Sequence, residues 1–289
     1  NPLLLMGEML NESETIAYLE SINNLMSLFR VFFAKTLLCY LFKDYEAALE
    51  NAKRALKSST LVEGNISFTK HIYYYSLALL ALYFQETESK QQQYLKQVEE
   101  NQQKMKYWAF HGPMNYQHKY NLVEAEKARV LGQSFSAMEY YDLAIDGAKE
   151  NGYVQDEALA NELAGEFYLA LGRNKVARTY LIDAYYAYIR WGAKAKVKDL
   201  EERHAELLAP IVGRKKSFPS GGEETIVQTR TTVTSTSSGV SENLDLSTII
   251  KASQALSGKM PEQKSFISSY LTQQVSGKLK LNVWANNVN

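Results

Sequence analysis

The chain has 289 residues, 46% of them hydrophobic, which is enough apolar material for a substantial buried core and excludes a wholly disordered protein. Lys and Arg total 32 against 32 Asp and Glu, so no net basic field draws the chain to nucleic acid or to an anionic membrane, and protein surfaces are the expected partners. The single cysteine, Cys39, lies in the apolar stretch from Thr36 to Phe42, where a small buried thiol is expected; it excludes an internal disulfide and suits a reducing cytoplasm.

Two apolar runs come first along the chain. Leu28 to Phe42 is interrupted by Arg30 and Lys35, and Ile72 to Phe84 is about 13 residues long; both fall short of the ~20 residues that a bilayer span requires. The opening Asn1-Pro-Leu-Leu-Leu-Met6 lacks the basic start and small-residue cleavage site of a signal peptide, and a start at Asn suggests a piece cut from something longer.

From about Ser13 to Leu208, apolar residues recur at three and four, with few Pro or Gly between them. The spacing predicts helices near 14–42 (one or two), 45–58, 66–84, 87–107, 114–131, 134–150, 155–171, 174–191 and 194–208. Leu131-Gly132…Ala137…Ala144 recurs as Leu171-Gly172…Ala177…Ala184, an offset of 40, and Ala125 and Gly165 stand seven residues before the two glycines. Ala48 and Ala55 repeat the two alanines seven apart. Glycine ends a first helix without a Cβ penalty, and alanines seven apart share a face on which neighbouring helices can approach closely. The expected fold is therefore all-α: tetratricopeptide-like antiparallel helix hairpins stacked as a solenoid over 1–209, with helices longer than the usual 34-residue repeat allows and a looser match over 66–107. The ten small residues named here are the repeat-packing positions.

Composition changes after Pro210. Residues 210–243 read as a flexible Ser/Thr/Gly-rich linker, and 244–258 as a short connector helix whose stripe of Leu246, Ile249, Ile250 and Leu256 needs a partner. Residues 259–289 read as an atypical or truncated tail.

No catalytic constellation is found. Gly258-Lys259 is followed by Met260 and Gly277-Lys278 by Leu279, so neither forms a phosphate loop, and the protein-kinase signatures are absent. No catalytic, cofactor-binding or metal-binding residue is assigned and no cofactor is expected. His71, His111, His118 and His204 are read as surface or capping residues, since none sits at a metal-ligand spacing. The 20 tyrosines, among them Tyr73-Tyr74-Tyr75, Tyr140-Tyr141, Tyr185-Tyr186 and Tyr188, are expected to pack beside the small residues, the alternative being an aromatic groove for a partner peptide. The mixed-charge runs from Glu86 to Gln93 and from Lys194 to Arg203 read as solvated helix faces.

Two long strings, Asn151 to Gly172 and Ala184 to Glu202, closely resemble the helical region of cyanobacterial multi-domain serine/threonine kinases that also carry a sensor histidine kinase. Leu244 to Gly258 resembles the connector that leads into a GAF sensory domain in that family. The resemblance covers roughly residues 1–258. It implies a cytoplasmic, non-catalytic segment that couples an ATPase and kinase part to a GAF and histidine kinase part of the same parent chain. No active-site residue of the family has a counterpart here. After Gly258 the sequence departs from the family, and Pro261 would break the connector helix. A free-standing adaptor that binds a partner protein in its groove is the alternative.

Overall fold

A computed structural model describes Leu3, residues 5–7, 10–59 and 66–216. The expected connector helix and tail, and most of the expected linker, lie outside the described residues.

The chain opens with a two-residue antiparallel pair, β1 (Met6–Gly7) with β2 (Leu10–Asn11). The rest is helical: α1 (Glu12–Ser21), α2 (Leu25–Leu41), α3 (Tyr45–Lys57), α4 (Ile66–Ala81), α5 (Glu88–His111), α6 (Pro113–Val130), α7 (Ser134–Glu150), α8 (Val154–Ala170), α9 (Asn174–Trp191), α10 (Lys194–Arg203) and α11 (Ala205–Lys216). Neighbours pair as antiparallel hairpins, α2 with α3, α4 with α5, α6 with α7 and α8 with α9, and the first helices of successive hairpins touch, α2 to α4 to α6 to α8. This is a stacked helix-hairpin solenoid.

Residues 14–42 form two helices, parted at Asn24, whose side chain accepts from Ser27 N–H at 3.1 Å. Asp44 caps α3 in the same way, accepting from Ala47 N–H at 3.2 Å. The Gly112-Pro113 break sets proline at the first position of α6, where its missing N–H costs nothing. Pro210 does not end the helical region. It sits inside α11, which runs on to Lys216, so the boundary expected near 210 falls later.

Six of the connections share one geometry, which the α4–α5, α5–α6 and α10–α11 connections lack. In six turns, the residue after the last helical one or two takes a left-handed conformation and the next N–H reaches back five residues: Asn24 to Leu19, Asp44 to Cys39, Gln133 to Ala128, Tyr153 to Ala148, Arg173 to Tyr168 and Ala193 to Tyr188. The left-handed residues are Asn23, Lys43, Gly132, Gly152, Gly172 and Gly192. They are spaced by 20 within each group, half the 40-residue offset of the sequence, because in those groups a like turn both closes a hairpin and joins it to the next helix.

The two apolar runs, in α2 and α4, are core helices, buried on most of their surface. No helix among the described residues is long and apolar enough to cross a membrane. Cys39 is buried, and burial pushes its thiol up to about 11.

Candidate functional site

Ala48, Ala55, Ala125, Ala137, Ala144, Ala177 and Ala184 are buried at helix contacts, none more than 1% exposed. Gly165 lies where α8 meets α9: a Cβ there would stand 2.7 Å from Leu181 Cγ, inside any real contact distance. Gly132 and Gly172 are different. A Cβ on either meets nothing within 4 Å, and their left-handed φ of 72° and 71° is what calls for glycine.

These small positions, six of them in the second helices α3, α7 and α9 and two in the first helices α6 and α8, let the helices of a hairpin press together, and the aromatic expectation follows. Tyr40, Tyr73, Tyr74, Tyr75, Tyr141, Tyr185 and Tyr188 all belong to the core. These seven tyrosines fill the interior, whereas Tyr180, Tyr107 and Trp108 border surface grooves.

Charged side chains fill it too. Glu162, in the middle of α8, is fully buried, and one of its carboxylate oxygens accepts from Lys196 Nζ at 2.9 Å and from Arg203, with Lys43 Nζ 3.2 Å away. The other accepts the Tyr188 hydroxyl at 2.5 Å. One turn on, Glu166 accepts from Lys43 and from Arg203, each at 2.8 Å. Lys196, fully buried, also donates to Asp199 at 2.7 Å and to the carbonyl of Leu41 at 2.7 Å. Three cations thus face three carboxylates, so the cluster is neutral and its buried hydrogen-bonding groups are used. Burial works to raise the Glu162 carboxyl, but Lys196, Lys43 and Arg203 together outweigh it and hold the group well below the usual carboxylate range. Burial likewise opposes, and Lys43 and His204 prevail over it, in lowering Glu166 to about 2.

This network ties the α2–α3 turn to α8 and α10 across 155 residues of chain. The expected solvated face from Lys194 to Arg203 is therefore corrected: Lys196 and Leu200 point inward, and the inward side carries the ion pairs. The Glu86 run behaves as expected, with Lys90 pairing Glu86 at 2.9 Å one turn away.

Two histidines also depart from the surface or capping role. His71 is fully buried among Phe29, Phe33, Phe68 and Tyr75, and neither ring nitrogen has a hydrogen-bond partner. Burial lowers its pKa to about 4, so it stays neutral at physiological pH. His118 is also buried, with Nε2 3.0 Å from Asp156 and 2.8 Å from Lys119 Nζ, which itself lies 2.9 Å from Asp156. Burial is the main cause that lowers His118 as well, with Lys119 adding to it against Asp156. His111 remains exposed, and His204 follows the last residue of α10, 3.8 Å from Glu166.

A third buried carboxylate, Glu126, takes the Tyr141 hydroxyl and pairs with Arg129 at 2.7 Å. Among the described residues, no group of three or more His, Cys, Asp or Glu is placed to hold a metal ion. A groove of about 720 Å³ has walls that include Asp142 and Asp146 of α7 and Asp183 of α9, with Glu157 and Asn161 of α8 among its other lining residues. Tyr180 bridges its walls by donating to Asp142 at 2.6 Å.

What unites these clusters is structural chemistry: buried charges matched and hydrogen-bonded, with no nucleophile set beside a base in an open cleft. No protein-family model matches the chain. A stretch of 61 residues is 41% identical to a hybrid signal transduction histidine kinase, kinase G, of Dictyostelium discoideum; it covers 21% of this chain and 2% of that much longer protein.

Proposed function

We propose that the chain is a non-catalytic coupling segment of a signal-transduction protein, a tetratricopeptide-like helical array that joins an ATPase and serine/threonine kinase part to a GAF and histidine kinase part. The observation that carries this reading is the ionic network around Glu162. By joining the α2–α3 turn to α8 and α10, it makes the early and late hairpins parts of one packed unit, a suitable spacer for passing a displacement between flanking domains. The 61-residue similarity to a hybrid histidine kinase supports the signalling context, and the resemblance of 151–172 and 184–202 to cyanobacterial kinases supports the finer placement. On this reading the segment works in the cytoplasm, holds no cofactor, and has protein domains as its partners.

The test is to read the coding DNA on both sides of the segment. In-frame kinase and ATPase motifs upstream, with GAF and histidine kinase motifs downstream, are the expected result. A short closed frame would overturn the coupling role and leave a free-standing adaptor. Purified chain incubated with ATP and magnesium should release no phosphate above a heat-denatured control.

A further inference from the structure

The groove of about 720 Å³ between α7 and α9 carries its charges in order. Both helices pack against α8 and run antiparallel to it, so they run in the same direction, and the Tyr180–Asp142 hydrogen bond sets their register. Each then passes from acid to base: Asp142 and Asp146 precede Lys149 on α7, and Asp183 precedes Arg190 on α9. Asp146 lies ~4.5 Å from Lys149 along the helix axis, and Asp183 lies ~10 Å from Arg190. The groove therefore has an acidic end and a basic end, with Ile145 and Val154 as apolar parts of its wall.

Most of these charges are unspent within the chain. Among the described residues, Asp146, Asp183 and Lys149 make no ion pair and no side-chain hydrogen bond, and Arg190 gives one nitrogen to Glu157 at 2.6 Å. Burial raises the Asp183 carboxyl although Lys149 and Arg190 act against it, so this carboxylate is partly desolvated without a bound cation. The floor adds an independent observation. Asn161 of α8 is 2% exposed, and its Nδ2 donates to the Glu157 carbonyl at 2.9 Å, which fixes the way the amide points. Its Oδ1 accepts from no described residue and borders the groove, so a donor from outside the chain has a place there. Because Glu157 meets Arg190 and Gly165 meets Leu181, Asn161 stands between the two ends.

A single metal ion does not fit this pattern, since no three His, Cys, Asp or Glu among the described residues are placed to share one. The complementary ligand is elongated and dipolar. Arginine has six bonds between its carboxylate and guanidinium carbons, which extend to ~7–8 Å, between the two axial intervals of the groove. A guanidinium also pairs with carboxylates through its planar fork and stacks on aromatic rings; Tyr180, itself stacked on Tyr168 at 5.2 Å, stands at the acidic end.

We infer that the groove binds a free basic α-amino acid of the arginine type. Its guanidinium lies at Asp142, Asp146 and Asp183, its α-ammonium at Asn161 Oδ1, and its carboxylate at Lys149 and Arg190. The inference rests on these residues alone and stands or falls separately from the signalling role. A ligand held by α7, α8 and α9 at once would also stiffen the joint between two hairpins.

The test is calorimetric titration of the full chain with L-arginine at low ionic strength. Saturable binding with a Kd of ~0.1–1 mM is the expected result for a ligand of this size. Agmatine lacks the carboxylate, citrulline lacks the guanidinium charge, and N-acetyl-arginine lacks the α-ammonium; each should bind about tenfold more weakly. Absence of arginine binding up to ~10 mM would overturn the inference, because that exceeds the expected Kd by about tenfold or more. Agmatine binding as tightly as arginine would overturn the role of the basic end. N-acetyl-arginine binding as tightly would overturn the free amino acid in favour of a chain end. These comparisons use the unaltered protein. Exposed residues supply the variants: Asp146→Asn with Asp183→Asn should weaken arginine about tenfold, and Lys149→Ala should weaken arginine but not agmatine. Arginine binding unchanged in both variants would place the ligand elsewhere and overturn the site.

Discussion

Two turns of the same shape use different residues. At Gly172 the left-handed residue is glycine and a Cβ there would meet open space; at Lys43, with φ of 66°, a long cationic side chain holds a conformation that costs a non-glycine residue ~1 kcal/mol. The difference lies in what each turn faces. The Gly172 turn has only to reverse the chain, whereas Lys43 must also carry its ammonium to Glu166 at 2.8 Å and Glu162 at 3.2 Å. The strain at Lys43 is offset by contacts that only this side chain, at this turn, can make.

The sharpest way to break that contrast is to remove what Lys43 reaches for. Glu162→Ala leaves three cations facing two carboxylates in a buried site, and the expected loss is ~3–5 kcal/mol of unfolding free energy, read from urea melts at pH 7. A loss below ~1 kcal/mol would show that the network is solvated in solution and that the α2–α3 turn is not fastened to α8.

Acid separates the buried histidines from the buried carboxylates. His71 has a folded pKa of about 4, below its ordinary 6.5, so the unfolded chain binds the extra proton as pH falls. That contribution to stability is present above pH 6.5 and is lost between 6.5 and 4, amounting to ~3 kcal/mol. Glu166 is lowered from 4.5 to about 2, so its contribution is present above 4.5 and disappears only between 4.5 and 2. Urea midpoints across pH should therefore fall in two stages. His71→Leu should shrink the upper stage, leaving the share of His118, which burial also lowers, and should leave the lower stage in place; a variant that keeps the full slope between pH 6.5 and 4 would move the titrating group elsewhere.

The same contrast governs the glycines. Gly165→Ala would drive a Cβ against Leu181, at a cost of ~1–3 kcal/mol, whereas Gly172→Ala should cost ~1 kcal/mol by backbone strain alone. Pairing each with Leu181→Ala in a double-mutant cycle separates them: coupling is expected at Gly165 and none at Gly172. Equal coupling at both would mean that one mechanism serves both positions.

Much of the helical order was legible because periodicity and small-residue spacing are local signals. The boundary of α7 at 134–150 and that of α9 at 174–191 agree with the spacing to the residue. The 20-residue turn was partly hidden: Gly132 and Gly172 stood out in the 40-residue repeat, and Gly152 and Gly192 halve it, but Asn23 and Lys43 play the same part without being glycine. The ionic core was not legible, since Lys43, Glu162 and Lys196 meet only through tertiary packing. A weak sign existed in Lys196, which lies four residues before Leu200 and so shares its helix face. His71 offered a sign of its own, an imidazole two residues before the Tyr73-Tyr74-Tyr75 run of α4, where the neighbouring residues already pointed to burial.

The smallest expected effect tests the comparison most directly. Lys43→Gly relieves ~1 kcal/mol of backbone strain and removes a cation from a partly buried network, so the two changes oppose each other. If the ion pairs outweigh the strain, Lys43→Gly is destabilising by ~1–2 kcal/mol at low salt. The same substitution in a Glu162→Gln, Glu166→Gln background should become neutral or stabilising, because only the strain relief remains. That reversal of sign is read from paired thermal melts. A substitution that destabilises equally in both backgrounds would place the value of Lys43 in its aliphatic stem, packed beside Tyr45 with the ammonium 5.9 Å from the ring centre, and not in its charge.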